Sequence, residues 1–164
     1  MVVLALAASA CASTGASPRP FPLPPDRGSR SSPETAARGS PSIDSYALVG
    51  AALSLRGVPY RNGGSDPNGF DCSGFTQYVF AQFGVSLPRE VREQFRVGTA
   101  VDSNDLAPGD LVFFATTDPG VSHVAIVVGG DQFVHAPSSS GVVRVERLSS
   151  SYWSPKFIGA RRVG

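Results

Sequence analysis

The chain has 164 residues, 41% of them apolar, with a formal charge of +1 at pH 7. That length holds one domain with an appendage, and the apolar fraction suffices for a core. Thirteen arginines and one lysine are scattered among thirteen acids. This pattern excludes the basic stripe of a nucleic-acid surface and a polybasic membrane patch.

The opening run "MVVLALAASAC" is apolar, rich in Ala and too short to span a bilayer. It reads as the apolar region of a secretory signal. Small residues Ser9 and Ala10 lead into Cys11, which resembles the lipidation site of a bacterial lipoprotein. Ala8 stands where that motif prefers Leu, and no Lys or Arg precedes the run. An ordinary secretory signal with an incidental cysteine is the alternative. Residues 1–11 are therefore expected to be a signal and lipid-anchor segment. Ala12 after the cysteine implies, by the same likeness, the outer membrane.

Residues 12–41 carry seven of the fourteen prolines, with Ser and Ala. Such a segment buries too little apolar surface to offset its ordering entropy. It reads as a disordered tether, reaching roughly 90 Å at about 3.1 Å per residue. Residues 42–164 are left for a folded domain.

In that domain Ser42 is expected to cap a helix running to about Arg56, with Ile43, Tyr46, Val49 or Gly50, and Leu53 at helical spacing. Gly57 and Pro59 end it. A turn-rich loop covers 60–70. A second helix starts at Asp71 or Cys72, with Phe75, Tyr78, Val79 and Phe83 as its buried stripe and Gly84 beyond its end. Phe70 and Phe75 read as anchors of that helix start. A short third helix follows Pro88, passes Glu90, Gln94 and Phe95, and ends near Gly98; Gln94 is left open as a substrate contact or a plain solvated position. Then come five β-rich runs: 110–115, 123–128, 132–136, 141–148 and 156–163. Val143 and Val145 alternate with Arg144 and Glu146, as in a half-exposed antiparallel strand. Helices first and strands afterwards predict an α+β fold, helices packed on one side of an antiparallel sheet.

Cys11 and Cys72 sit in contexts too different to suggest a disulfide. Cys72 lies at a helix start, and the chain's two histidines, His123 and His135, lie in the strand half. A thiol, a base and an orienting group make a thiol hydrolase. Unpaired N–H groups and the helix macrodipole at Cys72 are expected to favour thiolate and lower its pKa. The same N–H of Cys72 suits an oxyanion. Asp71 is expected as the N-cap, its charge occupied there. The histidines are twelve residues apart, across a hairpin turn. A regular two-residue turn at Gly129-Gly130 would put them on opposite faces, so a three-residue loop or a bulge is predicted. A lone cysteine or strand histidine is often purely structural. A Cys-His-His zinc site is also open, although it lacks the usual close ligand pair.

The segments "GVPYRNGG", "GFDCSGF", "LPR" with Gln94, "APGDLVFF", "SHVAIVVG" and "FVHA" together resemble the NlpC/P60 cysteine peptidases, over nearly all of 42–164. The tail "SSSYWSPKFIGARRV" is similar to a Spr-like subgroup of Gram-negative murein endopeptidase lipoproteins. The resemblance implies a papain-like α+β fold with a five- to six-stranded antiparallel sheet. It implies Cys72 as nucleophile, His123 as base and His135 as the group fixing the His123 tautomer. It also implies Tyr60 near the oxyanion, with Asp71, Ser73 and Ser122 lining the site. The implied activity is hydrolysis of peptidoglycan stem peptides, without metal or other cofactor. The D-alanine–diaminopimelate cross-link is favoured over the D-glutamate–diaminopimelate bond. A non-catalytic wall-binding module and a papain-like acyltransferase are the competing readings. A monomer in the periplasm, anchored to the outer membrane and without nucleic-acid partners, is expected.

Overall fold

The computed structural model describes residues 43–117, 119–139 and 141–164. The expected leader, the tether, Cys11 and the expected cap at Ser42 lie outside the described residues. No helix among the described residues is long and apolar enough to cross a membrane.

Helix α1 runs Ser45–Ser54. Its cap is Asp44, whose carboxylate accepts from the N–H groups of Tyr46 and Ala47 at 3.1 Å each. The helix thus begins later than the spacing suggested. Its buried face is Leu48, Val49 and Ala52, while Tyr46 is 82% exposed. The buried stripe is thus rotated from the expected one toward Leu48 and Ala52. The loop expected over 60–70 contains a small hairpin, β1 (Ser65–Asp66) and β2 (Gly69–Phe70).

Helix α2 runs Cys72–Ala81 and buries Phe75, Thr76, Val79 and Phe80. Tyr78 and Phe83 are half-buried beside them. Phe70 and Phe75 meet edge to face at 5.7 Å, both fully buried, and so anchor the helix start. Helix α3 is a single turn, Val91–Gln94, shorter than expected. Gln94 is fully buried rather than solvated. Its amide donates to the carbonyls of Pro88 (2.8 Å) and Ser73 (3.1 Å), and accepts from the Thr76 hydroxyl (2.7 Å). Only an amide supplies two donors and an acceptor in that space, so Gln94 ties α3 to the first turn of α2.

The strands are β3 (Thr99–Val101), β4 (Leu111–Phe114), β5 (His123–Gly129), β6 (Gln132–His135), β7 (Arg144–Arg147) and β8 (Phe157–Arg162). They form one six-stranded sheet in the order β3-β8-β4-β5-β6-β7, with antiparallel pairing throughout. The α+β expectation holds. The short, exposed edge strand β3 carried no periodicity to be read.

Both faces of the sheet are covered. Leu111, Phe113, Val124, Ile126 and Val134 pack against Leu48, Phe75, Val79 and Phe80 of the helices. Val112, Phe114, Ala125, Val127 and Phe133 face the other way, under Trp153 of the C-terminal segment. That second layer was not foreseen.

The start of α2 sits unusually close to the preceding loop. The Gly64 carbonyl accepts from the Asp71 N–H at 3.0 Å. A Cβ on Gly74 would lie 2.0 Å from that same oxygen. Two backbones touch here, and neither has a flexible end to move aside. Gly74→Ala is expected to destabilise the protein by about 3 kcal/mol, the upper end for overpacking. Gly50, inside α1, has open space at its Cβ position, so Gly50→Ala should stabilise by about 0.5–1 kcal/mol. Urea unfolding of both variants checks the pair; equal midpoints would contradict the packing.

Candidate active site

Cys72 is the first residue of α2, and Asp71 is the N-cap. The thiol is free and half-buried. Backbone N–H groups of Val124, Ser73 and Cys72 itself are directed at the sulfur. Val124 follows His123, the first residue of β5, so the helix start and the strand start meet at the thiol.

His123 and His135 are brought together as a pair. His123 Nε2 and His135 Nδ1 lie 2.8 Å apart, with the rings nearly perpendicular. The hairpin achieves this by a bulge. Ile126 pairs with Val134 and Val127 with Phe133, and the register then slips before Gly129 pairs with Gln132. Val128 is the extra residue. The inner register places Ala125 opposite His135, so His123 shares the His135 face. Their hydrogen bond occupies the two facing nitrogens, which leaves His123 Nδ1 as the other ring nitrogen. It also turns those lone pairs away from any common metal position. Among the described residues, no group of three or more His, Cys, Asp or Glu is placed to hold a metal ion.

Tyr60 is half-buried, with its N–H held by the Gly141 carbonyl at 2.7 Å. Burial first, then the nearby Cys72 and Asp71, push its phenol pKa upward, partly opposed by Arg89. Tyr60 therefore belongs to the same electrostatic neighbourhood as the thiol.

The Asp71 carboxylate accepts from the Gly74 N–H (2.7 Å) and the Gly63 N–H (3.0 Å). Arg89 donates to it and, through its other terminal nitrogen, to the Ser73 hydroxyl at 2.6 Å. Ser73 is buried in this cluster, which braces the helix start from behind. Ser122 is differently employed. Its hydroxyl accepts from the Thr116 N–H (2.8 Å) and the Thr117 N–H (3.3 Å), folding the loop that delivers His123.

Sequence reasoning missed Trp153 and Glu146. The Trp153 ring stacks on His123 at 5.5 Å and meets His135 edge-on at 5.0 Å. Its indole N–H donates to Glu146, which lies beside His135. Trp153 is the chain's single tryptophan, the one signal that could have drawn attention to it.

The protonation states depart from expectation. Burial, with the Asp71 carboxylate adding, pushes the Cys72 thiol from 9.0 up to about 11, against the pull of the three N–H groups. A helix start favours a charge by about 0.3–1 kcal/mol. A tenfold change in ionisation is about 1.4 kcal/mol, so loss of water outweighs the helix. Capping does not silence the Asp71 charge either, since it still raises the thiol. Burial pushes His123 down to about 4. Burial, then His123 and Arg144, push His135 down to about 2. At pH 7 the thiol and both rings are neutral.

Two predictions follow from these states. Iodoacetamide should alkylate Cys72 about tenfold faster per pH unit from pH 7 to 10, because the thiolate fraction grows tenfold per unit below the pKa. A plateau near pH 8.5 would contradict the raised thiol. Stability should also fall on acidification. Unfolded histidines take up protons near pH 6.5 and the folded ones do not, so stability present above that pH is lost as pH falls toward 4. The loss is on the order of 3 kcal/mol per histidine at pH 4. Urea unfolding at pH 7, 5.5 and 4 measures it, and a flat profile would refute it.

Residues 57–162 match the NlpC/P60 family. The chain is 43% identical over 120 residues to the Gamma-DL-glutamyl hydrolase of Bacillus subtilis (strain 168), covering 71% of this chain and 29% of that protein. It is 47% identical over 109 residues to the Murein DD-endopeptidase MepS/Murein LD-carboxypeptidase of Escherichia coli (strain K12), covering 66% of this chain and 57% of that protein. The chain thus spans less than two thirds of either relative. An NlpC/P60 family protein from Bacillus cereus ATCC 10987 superposes with a TM-score of 0.68 and 35% identity, over 74% of this chain and 40% of that one. Because the family match takes in α2, the whole sheet, Cys72 and both histidines, this chain belongs to the NlpC/P60 family.

Proposed function

We propose that this protein is a cysteine endopeptidase that hydrolyses amide bonds of peptidoglycan. The observation that carries the reading is a helix-start thiol that takes the N–H of Val124, the neighbour of His123, whose ring is joined to His135 at 2.8 Å. A purely structural cysteine has no use for a neutral base and three N–H donors around its sulfur.

The neutral thiol sets the order of events. His123 Nδ1 takes the Cys72 proton as the sulfur attacks the amide carbonyl. Charge moves to the carbonyl oxygen, where the Cys72 N–H, at a helix position without an internal acceptor, donates to it. The Tyr60 phenol, still protonated well above neutral pH, is the second donor. As the tetrahedral intermediate collapses, His123 returns the proton to the leaving amine nitrogen. Water then attacks the thioester with His123 again as base, releasing a carboxylate and restoring the thiol. His135 holds the His123 ring throughout.

The D-alanine–diaminopimelate cross-link is the favoured bond, supported by the higher identity to the relative named as a murein DD-endopeptidase. The B. subtilis relative named as a glutamyl hydrolase supports the D-glutamate–diaminopimelate bond as the alternative. A groove beside Ser122 carries Arg92 and Arg96 but also Glu90 and Glu93, so its charges balance and it favours neither bond. Cys11 as a lipid anchor and 12–41 as a tether would place a monomeric domain, 42–164, in the periplasm within reach of the wall.

Digestion of purified sacculi, with mass analysis of released muropeptides, tests the reading. The protein should release products that Cys72→Ala does not, with kcat reduced at least about 10³-fold in the variant. Loss of cross-linked dimers with intact stems identifies the cross-link; shortened stems identify the D-glutamate bond. Identical products from both proteins would refute catalysis by Cys72.

A further inference from the structure

Glu146 lies outside the residues assigned to the reaction. On β7 it pairs with Phe133, while Arg144 pairs with His135, so Glu146 shares the face that carries His135. Its Oε2 is 3.8 Å from His135 Nε2. That nitrogen is buried and has no hydrogen-bond partner among the described residues. The carboxylate is held from two other directions, by Arg144 on Oε1 and the Trp153 indole on Oε2. Trp153 in turn packs on both imidazoles.

We propose that Glu146 is a positioning residue that selects the tautomer of both histidines, by accepting the Nε2 proton of His135. A small side-chain rotation closes 3.8 Å to hydrogen-bond range, roughly 2.7–3.2 Å. A carboxylate only accepts, and a neutral imidazole carries a single N–H. With that proton on Nε2 of His135, its Nδ1 is bare and must accept from His123. The His123 proton then sits on Nε2, and His123 Nδ1 is left with the lone pair that takes the thiol proton. In the opposite arrangement His135 donates from Nδ1, His123 carries its proton on Nδ1, and no base faces Cys72. The chain of partners thus runs Glu146, His135, His123, Cys72, and its far end decides the state of its near end. Supporting groups around reactive histidines act in this way generally.

This inference rests on the catalytic reading of Cys72 and His123, but its main test needs no activity. Long-range proton–nitrogen-15 spectra of the full chain at pH 7 distinguish the two tautomers. Both rings are neutral there, and with only two histidines a His123→Ala variant assigns the signals. Wild-type His135 should carry its proton on Nε2; a proton on Nδ1 overturns the inference outright, whatever the variants do. Glu146→Ala should shift His135 toward the Nδ1–H form, with kcat lowered about 10–100-fold and KM within about twofold. Glu146→Gln, whose amide oxygen still accepts, should keep the wild-type tautomer and most of kcat. A Glu146→Ala protein that loses activity with an unchanged tautomer also overturns it, because Glu146 would then act only on folding or on Trp153. Identical sacculus products from wild type and Cys72→Ala would instead count against the catalytic reading itself.

Discussion

The Asp71 carboxylate receives donors from the Gly63 loop, the first turn of α2 and Arg89 at the same time. These come from three separate stretches of chain, and one side chain fixes their relative positions. The arrangement works only because backbone approaches backbone. The Gly64 oxygen sits where a Cβ of residue 74 would be, and the Gly69 oxygen sits 2.2 Å from the Cβ position of Gly64. The glycines around Cys72 therefore serve packing, and the packing aims the thiol. The arrangement has an electrostatic cost. A carboxylate one residue from Cys72 opposes its thiolate.

That cost shapes the chemistry. A preformed thiolate–imidazolium pair needs a cysteine pKa below that of its histidine, and here burial separates the two in the wrong direction. In the proposed mechanism the proton therefore stays on sulfur until attack begins. The three N–H groups around the sulfur and the helix start then act on charge that exists only during reaction. Interactions stronger in the transition state than in the ground state are the ones that raise kcat.

Much of this was legible in the chain. The helix start at Cys72, the Asp71 cap and five of six main strands follow from local pattern, because each is set by neighbours in sequence. The hairpin bulge followed from parity alone, since two histidines twelve apart share a face only if one residue is added. Other features are set by partners distant in sequence. Gln94 sits on a turn whose polarity suggests solvent, yet carbonyls of Ser73 and Pro88 bury it. The raised thiol depends on how much of α2 lies under other elements, which no local rule reports. Glu146 reads as the outward residue of an alternating strand. Only the β6–β7 register and the Trp153 cover show that its face is an inner one.

The double-faced sheet explains why the site needs the C-terminal segment. The Cys72 thiol belongs to the helix layer, whereas His123 and His135 share the face that Phe114, Phe133 and Trp153 cover. The two layers meet at the first residues of β5, where Val124 turns its side chain to the helices and its N–H toward the sulfur. Without Trp153 the histidine face would be open to water. Both rings would then regain hydration, their pKa values would rise toward the ordinary 6.5, and protonation near neutral pH would compete with the proposed role of His123 as base. The aromatic cover and the helix clamp thus act on opposite ends of the proposed proton transfer. The clamp holds the donor sulfur, and the cover keeps the acceptor ring neutral.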